Sequence, residues 1–356
     1  METTDEALCP ARSGIGTNRA HQPKGERVVF LFPGGRRPRW CVGGSIAHRS
    51  TPQKTWGQSE SSQVGAGMLH SSQTQTVYFY FYSPKSSNST VKDFKYNSRD
   101  FSQFKNLKAV LSLYAGIEDF IGNKTLKCPL IKMIDKTGLT NSMVEWCLAH
   151  TLRLHLGLDR HILGQDGIWR HKVKPPIARD RSIGVLGLGE LGRPVSLFLK
   201  KIGFKIFGWS RTRKNIKGIR CLHGTNGLKE VLQNSEILIL LLPLTKDTKF
   251  ILNNHSLSLL PRRSQIINAG RGELIEDTSL IKNLRSGHIL NATLDVFQQE
   301  PLPREHPYWI LPNVTVTPHI AADTPVESSS KVLASNIKDL IEGKLPNGVV
   351  DLNKGY

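Results

Sequence analysis

The chain has no apolar run long enough to cross a bilayer. Its longest, Ile237-Leu-Ile-Leu-Leu-Leu-Pro243, stops at a proline, whereas a spanning helix needs about 20 apolar residues. That run reads instead as a buried parallel strand, and no membrane partner is expected. Cysteine is scarce: Cys9, Cys41, Cys128, Cys147 and Cys221 are five, dispersed and free of C-x-x-C pairs. An odd, scattered set argues against a disulfide scaffold and against a zinc site. No metal is expected, and a reducing, cytoplasmic compartment is. Val28-Val-Phe-Leu-Phe32 is shorter than the apolar core of a secretory leader and meets Pro33 at once. Acidic residues are in deficit, 29 against 48 Lys+Arg. A basic surface can attract nucleic acid, but here the cations are spread along the whole chain. That distribution suits the collection of small anions better, and no nucleic-acid partner is expected. No internal repeat is visible.

What is present is an ordinary α/β composition, 38% hydrophobic over 356 residues, with room for two domains. Residues 1–75 are rich in Ser, Gly, Gln and Arg with little periodicity and read as a disordered or non-native extension. Strand patterns follow at Thr76–Tyr82, Lys108–Tyr114 and Leu130–Ile134, with a short helical segment near Phe101–Leu107. From Asn141 the apolar spacing of Met143, Val144, Cys147, Leu148 and Leu152 predicts a helix, capped by Asn141 or Ser142 with Glu145 in its first turn. After Pro175-Pro176, strand patterns at 182–186, 204–209, 237–242, 265–268, 289–294 and 314–317 alternate with helical stretches. This rhythm predicts a doubly wound parallel sheet. A last helix is expected over Val326–Ile341.

The stretch Ser182-Ile-Gly-Val-Leu-Gly-Leu-Gly-Glu-Leu-Gly-Arg193 places Gly187, Gly189 and Gly192 between a strand and a helix. That is the G-x-G-x-x-G context of a dinucleotide site: a tight turn, a backbone open to a pyrophosphate, and a helix packed close on its strand. The helix N-terminus adds unpaired N–H groups and a positive dipole end. A glycine-rich turn without a ligand is the plainer alternative. Cofactor choice is read about 20 residues on, where NAD sites carry an acid for the ribose 2′-hydroxyl. Here the segment is Trp209-Ser-Arg-Thr-Arg213. With no acid, and with Ser210 and Arg211 able to bind and neutralise a 2′-phosphate, NADPH is expected, with NADH as the alternative.

Three further stretches follow strand ends: Asn268-Ala-Gly-Arg-Gly272, Leu294-Asp-Val-Phe-Gln-Gln-Glu-Pro301 and Thr317-Pro-His-Ile-Ala321. With the glycine motif, in this order, they resemble the D-isomer-specific 2-hydroxyacid dehydrogenases. Gly208-Trp-Ser-Arg211, Leu241-Leu-Pro-Leu-Thr245 and the ending Gly355-Tyr356 resemble the family's glyoxylate/hydroxypyruvate reductase A branch. The resemblance covers about Phe101 to Tyr356. It implies a Rossmann nucleotide domain at 141–320 and a smaller, discontinuous flavodoxin-like substrate domain from 76–140 plus 321–356. It further implies a homodimer and a small 2-oxo acid substrate, glyoxylate or hydroxypyruvate.

By resemblance, Arg271 holds the substrate carboxylate or polarises its keto oxygen, His319 donates the proton, and Glu300 orients that imidazole. Glu190, Leu191, Leu242, Pro243, Ala269 and Asp295 join the glycines, Ser210 and Arg211 around the cofactor. Ala115 and Gly116 join Arg271 around the substrate, although Tyr114-Ala-Gly116 has a bulky residue where the branch has glycine. A reductase of a larger 2-oxo acid and a non-enzymatic, dinucleotide-dependent interaction protein are the competing expectations.

Overall fold

The computed structural model describes residues 107–169 and 176–352, with 100–102, 174, 354 and the strand segments 27–28, 65–70 and 76–82. The described residues form twelve strands: β1 (Arg27–Val28), β2 (Gly65–His70), β3 (Thr76–Tyr82), β4 (Leu107–Ser112), β5 (Leu130–Ile131), β6 (Ser182–Leu186), β7 (Lys205–Trp209), β8 (Arg220–Leu222), β9 (Ile237–Leu240), β10 (Ser264–Asn268), β11 (Ile289–Leu294) and β12 (Val314–Val316). The helices are α1 (Leu139–Leu156), α2 (Asp159–Ile162), α3 (Gly192–Ile202), α4 (Gly224–Gln233), α5 (Asn254–Ser258), α6 (Asp277–Arg285) and α7 (Val326–Ile341). Among the described residues, no helix is long and apolar enough to cross a membrane.

The larger sheet runs β12-β11-β10-β9-β6-β7-β8, and every neighbouring pair is parallel. Parallel neighbours need crossovers, and α3, α4 and α6 are among those that supply them. The apolar run of β9 is buried from end to end. Ile237 and Ile239 join the cluster of Val195 and Leu199, while Leu238 and Leu240 join that of Leu257 and Leu280. Alternate side chains thus enter the cores on opposite faces, as a strand's period of two requires. Strand order reverses between β6 and β9, the switch point where doubly wound sheets open a crevice for ligands. This is the expected Rossmann α/β fold.

The smaller sheet runs β1-β2-β3-β4-β5, antiparallel up to β3 and parallel beyond it. Leu333 and Ile337 of α7 pack on Ala109, Leu111 and Ile131, and Val350 packs on Val110 and Leu130. The C-terminal segment therefore returns to the sheet that the chain left after β5.

Several local expectations need correcting. Helix α1 begins at Leu139, so Asn141 and Ser142 lie inside it and Glu145 lies beyond its first turn. No side chain caps it at Gly138. Instead Asp135 accepts from the amides of Thr137, Gly138 and Leu139 and from the hydroxyls of Thr137 and Ser328. A carboxylate three residues upstream satisfies those unpaired donors better than Asn141, whose amide donates back to the Thr137 carbonyl. Leu107, read as the end of a helical segment, opens β4, and residues 103–106 lie outside the described residues. Strand β8 was not anticipated because Arg-Cys-Leu is too short to show alternation. Of the expected N-terminal extension, β1 and β2 are described and the remainder lies outside the described residues, as does Gly355-Tyr356.

Candidate active site

The glycine turn follows β6 at the switch point. Gly187 has φ +105°, and a Cβ there would stand 2.5 Å from the Leu241 carbonyl oxygen. A Cβ on Gly192 would overlap the Gly187 carbonyl. Gly189 is different, for nothing lies within 4 Å of where its Cβ would be. Two glycines are thus demanded by the protein's own packing, while the middle one leaves its backbone open to a phosphate group. Glu190 is exposed beside it, and Leu191 packs against the apolar clusters of both sheets.

The ends of β9 and β10 line the same crevice. Leu242 and Ala269 are buried, and the half-buried Pro243 accepts the Thr248 hydroxyl through its carbonyl at 2.7 Å. Beyond β7, the buried Ser210 donates its hydroxyl to the Thr212 carbonyl at 2.7 Å, and Arg211 is exposed. Asn268, buried at the end of β10, ties the next turn together. Its side chain donates to the Arg271 carbonyl at 2.9 Å and accepts from the Gly270 amide at 3.1 Å.

Arg271 projects from that turn towards the smaller sheet. Its Nε lies 2.9 Å from Glu118 Oε1 and its Nη2 3.3 Å from Glu118 Oε2, and Nη1 donates to the Gly270 carbonyl at 2.6 Å. A Cβ on Gly116 would overlap Nη2, so the Gly116 backbone lies directly against the guanidinium. Ala115 packs against the cluster of the smaller sheet.

The ends of β11 and β12 supply the last two groups. Asp295 is buried, and its carboxylate accepts from the Thr317 hydroxyl and the Ile320 and Ala321 amides. Its carbonyl takes the His319 amide at 2.8 Å. This clamp holds His319 at φ +56°, a conformation rare outside glycine. The imidazole Nδ1 then lies 2.7 Å from Glu300 Oε2, while Glu300 Oε1 accepts the Phe297 amide at 3.0 Å. Burial pushes the Glu300 carboxyl up, but the hydrogen bonds from His319 and Phe297 and the charges of His319 and Arg271 outweigh it. The carboxyl is held below its ordinary range.

Arg271, Glu300 and His319 therefore gather beside the glycine turn at the C-terminal ends of the parallel strands. Asp295 turns both carboxylate oxygens into the His319 loop. Glu118 and Lys132 were not singled out in the sequence, and Asn268 entered only as the first residue of its motif. Lys132, half-buried after β5, has its ammonium disfavoured by burial, partly offset by the charges of Glu190 and Glu118. Only the placement of a carboxylate just after the Ala115-Gly116 turn could have drawn attention to Glu118.

The sequence model of the D-isomer specific 2-hydroxyacid dehydrogenase NAD binding domain matches residues 146–321. A glyoxylate/hydroxypyruvate reductase A of Photorhabdus laumondii is 37% identical over 257 residues, covering 70% of this chain and 82% of that protein. The chain belongs to the D-isomer specific 2-hydroxyacid dehydrogenases. A solved member from Xanthobacter autotrophicus, in complex with NADPH and MES, superposes with a TM-score of 0.69 at 38% identity, covering 72% of this chain and 81% of that one. The NADPH-dependent glyoxylate/hydroxypyruvate reductase of Sinorhizobium meliloti, in complex with NADP and sulfate, gives 0.67 at 34% identity, covering 70% and 81%.

Proposed function

We propose that this chain is an NADPH-dependent reductase of a small 2-oxo acid of the glyoxylate or hydroxypyruvate class. The observation that carries this reading is the His319–Glu300 pair, 2.7 Å apart and beside Arg271 at the strand ends that follow the glycine turn. The NADP-bound relatives from Xanthobacter and Sinorhizobium support the cofactor. Residues 141–320 serve as the nucleotide domain, and 76–140 with 321–356 as the substrate domain.

The open backbone at Gly189, flanked by Gly187 and Gly192 and continued by Glu190 and Leu191, holds the pyrophosphate. Ser210 and Arg211 take the 2′-phosphate, and Leu242, Pro243, Ala269 and Asp295 border the rest of the cofactor. When bound, NADPH supplies a hydride to the carbonyl carbon of the 2-oxo acid. Arg271, permanently charged and forked, holds the carboxylate beside Gly116. With Nδ1–H donated to Glu300, the mobile proton sits on His319 Nε2 and passes to the substrate oxygen, leaving a neutral imidazole. Glu300 stays ionised and steadies the imidazolium before transfer. Loss of NADPH absorbance on adding glyoxylate or hydroxypyruvate tests the reading. Absence of turnover with every small 2-oxo acid, in demonstrably folded protein, rejects it.

A further inference from the structure

Glu118 lies two residues past Gly116, at the start of a short 3-10 turn (Glu118–Phe120) that follows β4. Its two oxygens sit 2.9 and 3.3 Å from Nε and Nη2 of Arg271, a residue 153 positions away in the chain that follows β10 of the other sheet. The ion pair therefore joins the segment after β4 of the smaller sheet to the segment after β10 of the larger one. Its side chains are 31% and 29% exposed, and an ion pair so accessible adds little to stability. Its consequence is geometric.

A guanidinium carries five N–H groups. The Nε group and one on Nη2 face Glu118, and one on Nη1 donates to the Gly270 carbonyl. Glu118 thus takes the Nε–Nη2 edge and leaves the Nη1–Nη2 end of the fork, an end whose geometry a carboxylate accepts with both oxygens. Gly116 closes against Nη2, which limits how far the guanidinium plane can turn.

We propose that Glu118 is a positioning residue: by gripping the Nε–Nη2 edge of Arg271 from the smaller sheet's side, it presents the Nη1–Nη2 end to the carboxylate of the substrate. The assignment rests on the reductase reading for its substrate but concerns anion binding, which can be measured without turnover. Because Glu118 follows a strand of the smaller sheet, the grip also makes a correctly aimed Arg271 conditional on how the two sheets are placed against each other.

The test compares the full-length wild type with Glu118→Ala, Glu118→Gln and Glu118→Asp. Oxalate is titrated calorimetrically into each NADP-loaded protein, and KM and kcat for glyoxylate are measured at saturating NADPH. NADPH affinity and Tm are recorded alongside. Glu118→Ala is expected to weaken oxalate binding and raise the glyoxylate KM about ten- to hundredfold, the weight of charge-assisted hydrogen bonds. NADPH affinity should hold, and Glu118→Asp should recover part of the loss. Unchanged oxalate affinity and KM would make the pair a bystander. Tighter oxalate binding would make Glu118 a competitor for the fork, and parallel loss of NADPH affinity and Tm would make it structural; each overturns the proposal. If the wild type reduces no 2-oxo acid yet loses oxalate binding on Glu118→Ala, the reductase reading falls and Glu118 stands. If the wild type binds no oxalate, Arg271 is not an anion fork and the assignment falls.

Discussion

His319 Nδ1 lies 2.7 Å from Glu300 Oε2, while the other Glu300 oxygen takes the Phe297 amide at 3.0 Å. Both carboxylate oxygens are therefore committed, and the imidazole is oriented by a partner that cannot easily turn away. His319→Ala should lower kcat by about 10²–10⁴-fold, the contribution of a positioned proton donor. Glu300→Gln keeps the shape but replaces the charged acceptor that holds the imidazole Nδ1, so a loss of about tenfold or more in kcat is expected. Steady-state kinetics at saturating NADPH measures both. An unchanged kcat in His319→Ala would remove that residue from the mechanism.

The glycine turn separates packing from binding. A side chain on Gly192 overlaps the Gly187 carbonyl, whereas one on Gly189 meets nothing within 4 Å. Gly192→Ala should cost about 1–3 kcal/mol in denaturant midpoint experiments, in line with overpacking. Gly189→Ala should leave that midpoint nearly unchanged and weaken NADPH binding, because the new methyl occupies the approach of the pyrophosphate. Equal NADPH affinity in Gly189→Ala and wild type would count against the site.

Cofactor preference is assigned to the exposed Arg211. A guanidinium on a 2′-phosphate forms charge-assisted hydrogen bonds of about 1.5–3 kcal/mol. Arg211→Ala should thus weaken NADPH by about one to two decades and leave NADH nearly unaffected. Arg211→Asp should reverse the preference, since a carboxylate accepts from the ribose hydroxyl and repels the phosphate. Isothermal titration of both cofactors decides it, and equal weakening of the two would dismiss the role.

Asp135 joins the start of α1 to the first turn of α7 through Ser328. Burial pushes its carboxyl up, but the hydrogen bonds from Ser328, Gly138 and Thr137 prevail and hold it below its ordinary range. A depressed carboxyl stabilises the fold fully above the unfolded pKa of about 3.9, and the gain is lost as pH falls through the folded value. Asp135→Asn should cost about 1–3 kcal/mol at neutral pH. Its difference from wild type should be flat above about pH 5 and shrink below about pH 4. Urea midpoints across that range check the sign, and a gap that widens in acid would refute it.

The local pattern of the chain determined a good deal. The run from Ile237 announced a buried strand, the βα rhythm announced a doubly wound sheet, and the Gly187–Gly192 spacing announced a tight turn between strand and helix, because each signal is written in neighbouring residues. The motifs around Arg271, Glu300 and His319 were legible for the same reason, and their series carried the family. Tertiary structure alone decided what those residues face. Glu118 meets Arg271 from the other sheet, Asp135 caps α1 and reaches Ser328 near the C-terminus, and Asp295 clamps the loop that sets His319 at φ +56°. These partners lie 153, 193 and 25 residues apart. An ionic or hydrogen-bonded contact acts over a few ångströms, so which carboxylate meets which donor is settled only when the sheets bring distant strand ends together.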